Sequence, residues 1–524
     1  MDLDCDVLVV GAGCGGVAAA IAAAGAGRHV VLTEPTAWVG GQLTSQAVPP
    51  DEHPWVETTG TTATYRRMRE SVRDHYRTER DLTETARRDP HLNPGRAWVS
   101  NLAAEPVVFH RVLGDLLRPL QVSGRLRLLT SHTPVSAVVD GDRVEAVTFT
   151  GQAHGETVTV TASYVLDASE EGDLLPLTGC EHVLGAESQQ QTGEPHAPAG
   201  PPDPLDQQAV TWCVALERRP GAAELVDRPV SYGFWRDYQA AHWPGPQLGW
   251  ATSRPETGEA LRRPLFAEDG SQDLWTFRRI RCGADYRPAT CDVTLVNWPQ
   301  VDYWLAPLTG ATDDERAEAM RAARDLTRSF VHWVQTDAPR PDGGTGYPEL
   351  QPCGKVLGTQ DGLAMRPYIR EARRIRAQTT VLEQHVGVTA RPGATRAEEF
   401  PDTVGVGCYR IDLHPSTSGR GYLDIATYPF QVPLGALLPQ RLVNLLAAGK
   451  NLGVTHITNG CYRLHPVEWN VGEAAGALAA YCLDHRTSPT AVRGTPDLLA
   501  GFQDRLHRQG VQLHWPEEIR TRQR

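Results

Sequence analysis

The sequence lacks the features by which several classes of protein are recognised. No basic block stands against its net charge of −12, which argues against a nucleic-acid partner. Its ten cysteines include no C-x-x-C pair and no Cys/His run at metal-ligand spacing, so we expect reduced thiols and no metal site. No apolar run is long enough to span a bilayer, and no basic leader precedes the first apolar run. These absences predict a cytoplasmic protein without membrane contact.

The first 34 residues carry the pattern of a dinucleotide-binding unit. An apolar run ends in G-A-G-C-G-G, and an alanine-rich helical stretch, a second apolar run and Glu34 follow. In such a unit Gly11 permits the tight turn, Gly13 lets the backbone approach a pyrophosphate, and Gly16 lets the helix pack on the strand. The helix N-terminus offers N–H groups and a partial positive charge to the phosphates, and Glu34 is placed to accept ribose hydroxyls. We therefore predict a bound dinucleotide.

The rest of the chain alternates helical and strand-like patterns, as an α/β protein does. Asp140-Gly141-Asp142 is typical of a hairpin turn. The patterns predict helices at about 61–80, 107–120 and 468–485, and strands at 126–129, 135–139, 144–150, 157–165 and 442–448.

Three turns together resemble those of FAD-dependent oxidoreductases of the glutathione-reductase type: the first glycine turn, 167–173 (DASEEGD) and 447–451 (AAGKN). More narrowly, the chain resembles the bacterial FAD-dependent oxidoreductase family, some members of which carry xanthan-lyase labels. The supporting motifs are GGQLTS at 40–45, NWP at 297–299, RPYIRE at 366–371, YRIDLH at 409–414 and YRLHP at 462–466.

The resemblance implies an α/β fold, with a Rossmann-like FAD-binding domain of the glutathione-reductase type and an inserted α+β substrate domain. The expected pieces are a discontinuous FAD-binding domain (1–50, 105–185 and 436–490), a helical lid or cap (51–104), a substrate domain (186–435) and a C-terminal tail (491–524).

The resemblance also implies FAD as cofactor and a set of residues that hold it. The first turn would take the pyrophosphate, the 40–43 loop would pass beside the flavin ring, and a helix starting near Val471 would point its N-terminus at the pyrimidine edge. The residues so implied are Gly11, Gly13, Gly15, Gly16, Glu34, Pro35, Gly40, Gly41, Gln42, Leu43, Ala168, Gly449, Asn451, Val471 and Gly472. Covalent attachment of the flavin through Cys461, Tyr462 or His465 stays open.

A related NAD(P)H-dependent disulfide reductase would carry a redox Cys pair and a second G-x-G-x-x-G unit in mid-chain, and this sequence has neither. We therefore expect a dehydrogenase or oxidase that oxidises a small polar alcohol or amine by hydride transfer to flavin N5 and passes the electrons to oxygen or another acceptor. Two alternatives remain: a flavin monooxygenase, which would need NAD(P)H or a partner reductase, and a flavin-binding module without turnover. The oligomeric state is not predicted.

Two histidines are candidates for the catalytic base, because histidine titrates near neutral pH. Strand alternation places Arg410, Asp412 and His414 on one face. His465 directly precedes Pro466 and the helix expected to face the flavin. Each could instead be a buried histidine that holds a loop.

Arg370 is the candidate substrate anchor, since guanidinium groups clamp carboxylates and carbonyl oxygens. Pro367 suits the first turn of a helix, and Arg370, Arg373 and Arg374 would then share one face of that helix. The competing interpretation is a surface ion-pair ladder with Glu371.

Overall fold

The computed structural model describes residues 1–152, 155–254, 257–267 and 269–523. The strands are β1 (Asp2–Val10), β2 (Val30–Glu34), β3 (Leu126–Thr130), β4 (His132–Asp140), β5 (Arg143–Gly151), β6 (Thr157–Asp167), β7 (His182–Val183), β8 (Val210–Thr211), β9 (Val214–Arg218), β10 (Ala251–Ser253), β11 (Ala260–Arg262), β12 (Arg279–Arg281), β13 (Val293–Val296), β14 (Asp302–Tyr303), β15 (Leu350–Pro352), β16 (Arg374–Ile375), β17 (Thr403–Gly407), β18 (Ile411–Leu413), β19 (Leu423–Ile425), β20 (Phe430–Pro433) and β21 (Leu445–Ala447).

The helices are α1 (Cys14–Gly25), α2 (Ala63–Glu79), α3 (Glu84–Arg88), α4 (Pro106–Val122), α5 (Leu174–Leu177), α6 (Gln189–Thr192), α7 (Tyr232–Asp237), α8 (Leu274–Phe277), α9 (Asp313–Thr336), α10 (Glu383–Val386), α11 (His456–Tyr462), α12 (His465–His485), α13 (Pro489–Gly494), α14 (Pro496–Arg508) and α15 (Glu517–Arg520). In the described part of the chain, no helix is both long and apolar enough to cross a membrane.

A mixed sheet in the order β3-β2-β1-β6-β5-β4 forms the centre of the molecule, and β21 pairs with the end of β6. The pairs β3–β2, β2–β1, β1–β6 and β21–β6 are parallel, whereas β5 and β4 are antiparallel. The buried apolar runs of β1 and β2 are typical of parallel strands covered on both faces. This sheet confirms the predicted α/β class and the strands predicted between residues 126 and 165.

Helices α1 and α12 pack together closely above this sheet. An added Cβ on Gly472 would lie 1.9 Å from the carbonyl oxygen of Gly15, and one on Gly476 would lie 2.2 Å from that of Ala19. Real side chains do not approach a backbone oxygen so closely, and only glycine lets the two helix backbones meet at this distance. The contact fixes the middle of α12 against the first half of α1.

A second core surrounds the antiparallel sheet β12-β13-β9-β15 and the long helix α9. Its aromatic residues include Trp298, which packs edge-on against Phe330 of α9. This core also includes Ala47 and Val48, which follow the loop with the GGQLTS motif at 40–45. The two cores therefore meet where that loop ends.

Three sequence predictions need correction. The segment after Pro367 is extended, not helical, because Tyr368 and Thr211 exchange backbone hydrogen bonds of 2.7 and 3.1 Å. The final helix begins at His465, where Pro466 suits its first turn, and not near Val471. The strand predicted at 442–448 is confined to β21.

Candidate active site

The first glycine turn forms a cradle of main-chain atoms at the start of α1. Gly11 has φ +93°, and an added Cβ there would lie 2.4 Å from the carbonyl oxygen of Ala168. On Gly15 a Cβ would lie 2.0 Å from the oxygen of Ala448, and on Gly16 it would lie 1.8 Å from that of Gly11. The N-cap residue of α1 is Gly13, which has no side chain to cap the first N–H groups. Those donors are left for an anion, as in phosphate-binding helices.

The loop that holds the predicted flavin-side residues lies against this cradle. Gly40 and Gly41 have φ +116° and +51°, and an added Cβ on Gly41 would lie 2.8 Å from the Cα of Gly13. Gln42 and Leu43 complete a buried turn of 3₁₀-helix. The Gln42 side-chain amide donates to the carbonyl oxygen of Arg463 at 3.1 Å, so it connects this loop to the start of α12.

A buried group of charges lies between the same elements. Lys450 pairs with Glu170, one oxygen of which lies over Gly13, and Gln42 donates to Glu468 in the first turn of α12. Burial raises the pKa of Glu468 to about 7, although nearby Lys450 opposes the shift. Burial at the cradle therefore favours the neutral form of this carboxyl.

The remaining predicted cofactor residues lie at two strand ends and within α12. Asn451 donates to the carbonyl oxygen of Asp167 at 3.0 Å, which joins the β21 turn to the β6 turn that holds Ala168. An added Cβ on Gly449 would lie 3.8 Å from the Cα of Ala168. Val471 and Gly472 are buried within α12, about two turns beyond the start of that helix. Gly472 contacts Gly15 of α1.

Glu34 ends β2 with its carboxylate buried at the edge of the cradle. Its Oε2 accepts from the backbone N–H of Ala12 at 3.0 Å, and Oε1 accepts from the N–H and hydroxyl of Thr36 at 3.0 and 2.7 Å. Burial raises the pKa of Glu34, and these hydrogen bonds oppose that shift. Pro35 follows Glu34, and its carbonyl oxygen accepts a hydrogen bond from the side-chain amide of Gln152.

A polar cavity of about 240 Å³ lies where the two cores meet. Eight short stretches of the chain line it, and only three of the lining residues, Val99, Phe277 and Pro299, have no polar side-chain atom. The charged lining residues are Asp51, Arg278, Arg370, Arg410, Asp412, His414, Asp424 and Arg463; the others are Val99, Phe277, Asn297, Pro299, Tyr368, Tyr409 and Tyr422. Arg410, Asp412 and His414 all face it, as strand alternation in β18 predicts.

His414 lies in this cavity and is held by a buried carboxylate. Its Nδ1 lies 2.5 Å from Oδ2 of Asp302, and the Tyr422 hydroxyl lies 2.8 and 3.1 Å from the two ring nitrogens. Because the Asp302 carboxylate accepts a hydrogen bond from Nδ1–H, Nε2 of the neutral ring is an acceptor. Burial lowers the pKa of His414, Arg370 lowers it further, and Asp302 partly offsets both. The neutral ring is therefore the resting form at neutral pH.

Arg370 lies beneath this pair. Its Nη1 donates to the carbonyl oxygen of Ala209 and to the hydroxyl of Thr211 at 2.7 and 2.8 Å, and its Nη2 lies 3.4 Å from Asp302. Burial alone would raise the pKa of Asp302, but Arg370 and His414 outweigh burial and keep that carboxyl ionised. The geometry makes Arg370 a support for Asp302; it is buried and does not form a surface ladder with Glu371.

His465 lies outside the cavity lining, fully buried at the start of α12. Its Nδ1 accepts the backbone N–H of Asp51 at 3.1 Å, and Arg278 donates to the carboxylate of Asp51 at 3.1 Å. Burial lowers the pKa of His465 to about 4, with Asp51 opposing. The ring is thus a neutral acceptor that positions the Asp51 loop at the cavity edge.

Several residues of the site escaped sequence reasoning. Asp302 and Tyr422 carry no local motif, and Arg278 stands in an ordinary alternating segment. Only Asp302 had an indirect signal, since it closely follows the NWP motif at 297–299. Their roles depend on contacts with residues that are more than a hundred positions away, apart from Tyr422, which lies eight residues from His414.

The sheet, the glycine cradle and the adjoining cavity define the class as an α/β dinucleotide-binding protein. Comparison with known proteins narrows this class. The chain matches the family described as FAD dependent oxidoreductase over residues 6–506, and it belongs to that family. Its cofactor is FAD, and the glycine cradle with its uncapped helix N-terminus fits the pyrophosphate of that group. No curated protein matches the chain.

The chain is also similar, at low sequence identity, to several solved structures. The myxobacterial chondrochloren halogenase CndH is 12% identical, with 97% of this chain and 80% of that chain covered and a TM-score of 0.34. The anhydrotetracycline hydroxylase OxyS from Streptomyces rimosus is 13% identical, with 97% and 66% covered and a TM-score of 0.35. A geranylgeranyl bacteriochlorophyll reductase-like protein from Thermoplasma acidophilum is 10% identical, with 98% and 86% covered and a TM-score of 0.31.

Proposed function

We propose that this FAD-dependent oxidoreductase oxidises a small polar organic substrate, of the alcohol or amine type, in the cavity beside His414. Bound FAD would accept the hydride from the substrate carbon at N5, and the electrons would pass on to oxygen or another acceptor. The chain itself binds and orients the substrate, takes its proton and limits access of water.

The residues proposed to hold FAD are those of the cradle and its neighbouring turns. Main-chain N–H groups at Gly13 to Gly16 would bind the pyrophosphate, and Glu34 would bind the adenosine ribose. The Gly40–Leu43 loop, Ala168, Gly449, Asn451 and the start of α12 at His465 would surround the rest of the cofactor. This last position replaces Val471 and Gly472, which lie farther along the helix.

The observation that carries the proposal is the His414–Asp302 pair at the cavity wall. With Nδ1 held by Asp302, Nε2 of His414 can accept the proton of a substrate O–H or N–H as the C–H bond breaks. Tyr422 would orient the same substrate group through its hydroxyl. His465, which meets the main chain of Asp51 and not the cavity, is proposed as a positioning residue.

Anaerobic bleaching of the holoenzyme tests this function. The purified flavoprotein is mixed with a panel of alcohols and amines, and loss of the visible flavin bands is followed by stopped flow. A substrate found in this way should bleach His414→Gln about 10²- to 10⁴-fold more slowly, the range for loss of a general base. The control is His332→Gln, a substitution in α9 that lies outside the cavity lining.

Three results would contradict the proposal. Unchanged bleaching of His414→Gln would show that His414 is not the base. Bleaching by NAD(P)H alone would favour the monooxygenase. A tightly bound flavin that no donor reduces would favour a module without turnover.

A further inference from the structure

The charges around the cavity are balanced one to one. Each of its four arginines has its own aspartate as ion-pair partner. The pairs are Arg278–Asp51 at 3.1 Å, Arg370–Asp302 at 3.4 Å, Arg463–Asp412 at 3.5 Å, and Arg410–Asp424. His414 adds no charge in its neutral form. A singly charged substrate would therefore enter a small polar space that offers it no uncompensated counter-charge, and desolvating that substrate would be unfavourable.

Two of the guanidinium groups are also occupied by neutral acceptors. Arg463 donates through Nη1 to the Tyr368 hydroxyl and through Nη2 to the main-chain oxygen of Asp412. Arg370 uses Nη1 for Ala209 and Thr211. Bidentate binding of a carboxylate needs two free, parallel N–H groups. These two arginines are therefore built into the wall and do not act as a carboxylate clamp.

The wall presents both acceptors in need of donors and donors in need of acceptors. The Nε atoms of Arg278, Arg370 and Arg463 have no hydrogen-bond partner among the described residues. Asn297 is 6% exposed, and its Oδ1 has no hydrogen-bond partner among the described residues. The carboxylate of Asp412 is more open, and its nearest cationic nitrogen, on Arg463, lies at 3.5 Å, beyond a good hydrogen bond. A ligand hydroxyl can satisfy both kinds of group, because it donates and accepts, whereas a carboxylate can satisfy only the donors.

The position of Asp412 relative to the proposed base adds a geometric constraint. Its Oδ2 lies 3.8 Å from Nε2 of His414, and both residues line the cavity. Two acceptors at this separation can accept from hydroxyls on neighbouring carbons of one molecule. The tyrosine hydroxyls of the wall can both donate and accept, as hydroxyl groups of a ligand do.

We propose that the substrate is uncharged and carries several hydroxyl groups, as in a polyol or a sugar, with two of them on adjacent carbons. One hydroxyl would face Nε2 of His414, and its neighbour would donate to Asp412. This inference rests on the proposed oxidation at His414 and specifies its substrate class.

Binding to the holoenzyme tests the substrate class separately from turnover. The probes are myo-inositol, sorbitol and glucose as polyols, 1-propanol as a single alcohol, and glycolate, ethanolamine and glycine as charged molecules. Anaerobic titration of the flavin absorbance gives a dissociation constant from the spectral shift, and any bleaching is recorded in the same cuvette. We expect at least one polyol to bind and the single alcohol and charged probes to bind at least tenfold more weakly, because a site built for hydroxyl groups rejects molecules that lack them.

A charge-removing variant sharpens the test. Asp412→Asn should weaken polyol binding about 10- to 100-fold, as expected for loss of a hydrogen bond to a charged acceptor. It should also strengthen glycolate binding, because Arg463 loses its counter-charge. The matched control is Asp361→Asn, an aspartate of similar exposure that pairs with Arg324 in a different groove.

The outcomes separate the two proposals. A polyol that binds without bleaching would support the substrate class and overturn the oxidation. Bleaching by glycolate, ethanolamine or glycine without polyol binding would support the oxidation and overturn the substrate class. The proposed substrate class would also be overturned if no polyol binds, or if Asp412→Asn leaves the selectivity between polyols and glycolate unchanged.

Discussion

The cofactor cradle and the substrate cavity are built in different ways. The cradle consists mainly of glycines and main-chain atoms at the starts of α1 and α12, and its shape depends on the absence of side chains. The cavity consists of charged and hydroxyl-bearing side chains that reach each other across the fold, such as Arg278 and Asp51. A short motif can encode the first kind of site, whereas the second exists only after the chain has folded.

The largest expected effect comes from filling the cradle's helix contact. In Gly472→Ala the new Cβ would meet the carbonyl oxygen of Gly15 at 1.9 Å, so α12 has to move away from α1. We expect a loss of about 3 kcal/mol, at the upper end for overpacking, together with loss of FAD on desalting. Urea unfolding and the flavin content of the purified protein measure both.

The control for this substitution is Gly114→Ala in α4, where an added Cβ meets nothing within 4 Å. Alanine there should stabilise the protein by about 0.5–1 kcal/mol, because it lowers the entropy of the unfolded chain. A Gly472→Ala protein that keeps its FAD and its stability would show that the cradle does not depend on the glycine contact.

A smaller effect, about 10²-fold in the rate of flavin reduction, is expected for Asp302→Asn in the cavity. The amide can no longer hold the Nδ1 proton as a carboxylate does, and His414 loses the group that raises its pKa. The acidic limb of the pH–rate profile should therefore move to lower pH. Anaerobic reduction rates measured across pH with the best substrate test this.

Thr211→Val is the milder variant. It removes the hydroxyl that donates to Asp302 and accepts from Arg370, and it keeps the carboxylate. It should slow reduction a few-fold to about tenfold without moving the acidic limb, on the order expected for the loss of these hydrogen bonds. If the limb stays in place in Asp302→Asn as well, Asp302 does not control the protonation of His414.

The last expected effect is on the pH dependence of stability and concerns His465, which joins the two regions. Its pKa falls from an ordinary value of 6.5 to about 4 in the fold, so its neutral form stabilises the protein above pH 6.5. That contribution is lost as the pH falls from 6.5 towards 4 and is on the order of 3 kcal/mol at most. In His465→Asn, whose amide oxygen can still accept the Asp51 N–H, this loss should disappear. Unfolding free energies between pH 4.5 and 8 give the comparison, and parallel curves for the two proteins would argue against it.

Much of the fold was predictable because its signals are local. The glycine turn, the alternation in β4 to β6 and the amphipathic helix α2 follow from residues close together in sequence. Local reasoning failed after Pro367, where the pattern predicts a helix. There, hydrogen bonds between Tyr368 and Thr211, which lie far apart in the chain, hold the backbone extended. Tertiary pairing of this kind overrides local preference.

In the candidate site, too, some features follow from local sequence patterns and others depend on tertiary contacts. Alternation in β18 placed Arg410, Asp412 and His414 on one face, and the structure confirms it. The sequence pattern did not distinguish His414 from His465, because both stand in similar motifs. Their surroundings separate them: His414 has a carboxylate on Nδ1 and faces the cavity, whereas His465 accepts a backbone N–H in a fully buried position.

The amino-acid sequence by itself determined the class of cofactor and the start of the fold, since a glycine turn between a strand and a helix needs no distant residue to take its shape. Only the tertiary structure decided which charges are paired, which histidine faces the cavity and where α12 meets α1. Ion pairs such as Arg370–Asp302 and helix contacts such as Gly472–Gly15 join residues that are remote in sequence, and no local pattern specifies them. Their geometry exists only when the whole chain is packed.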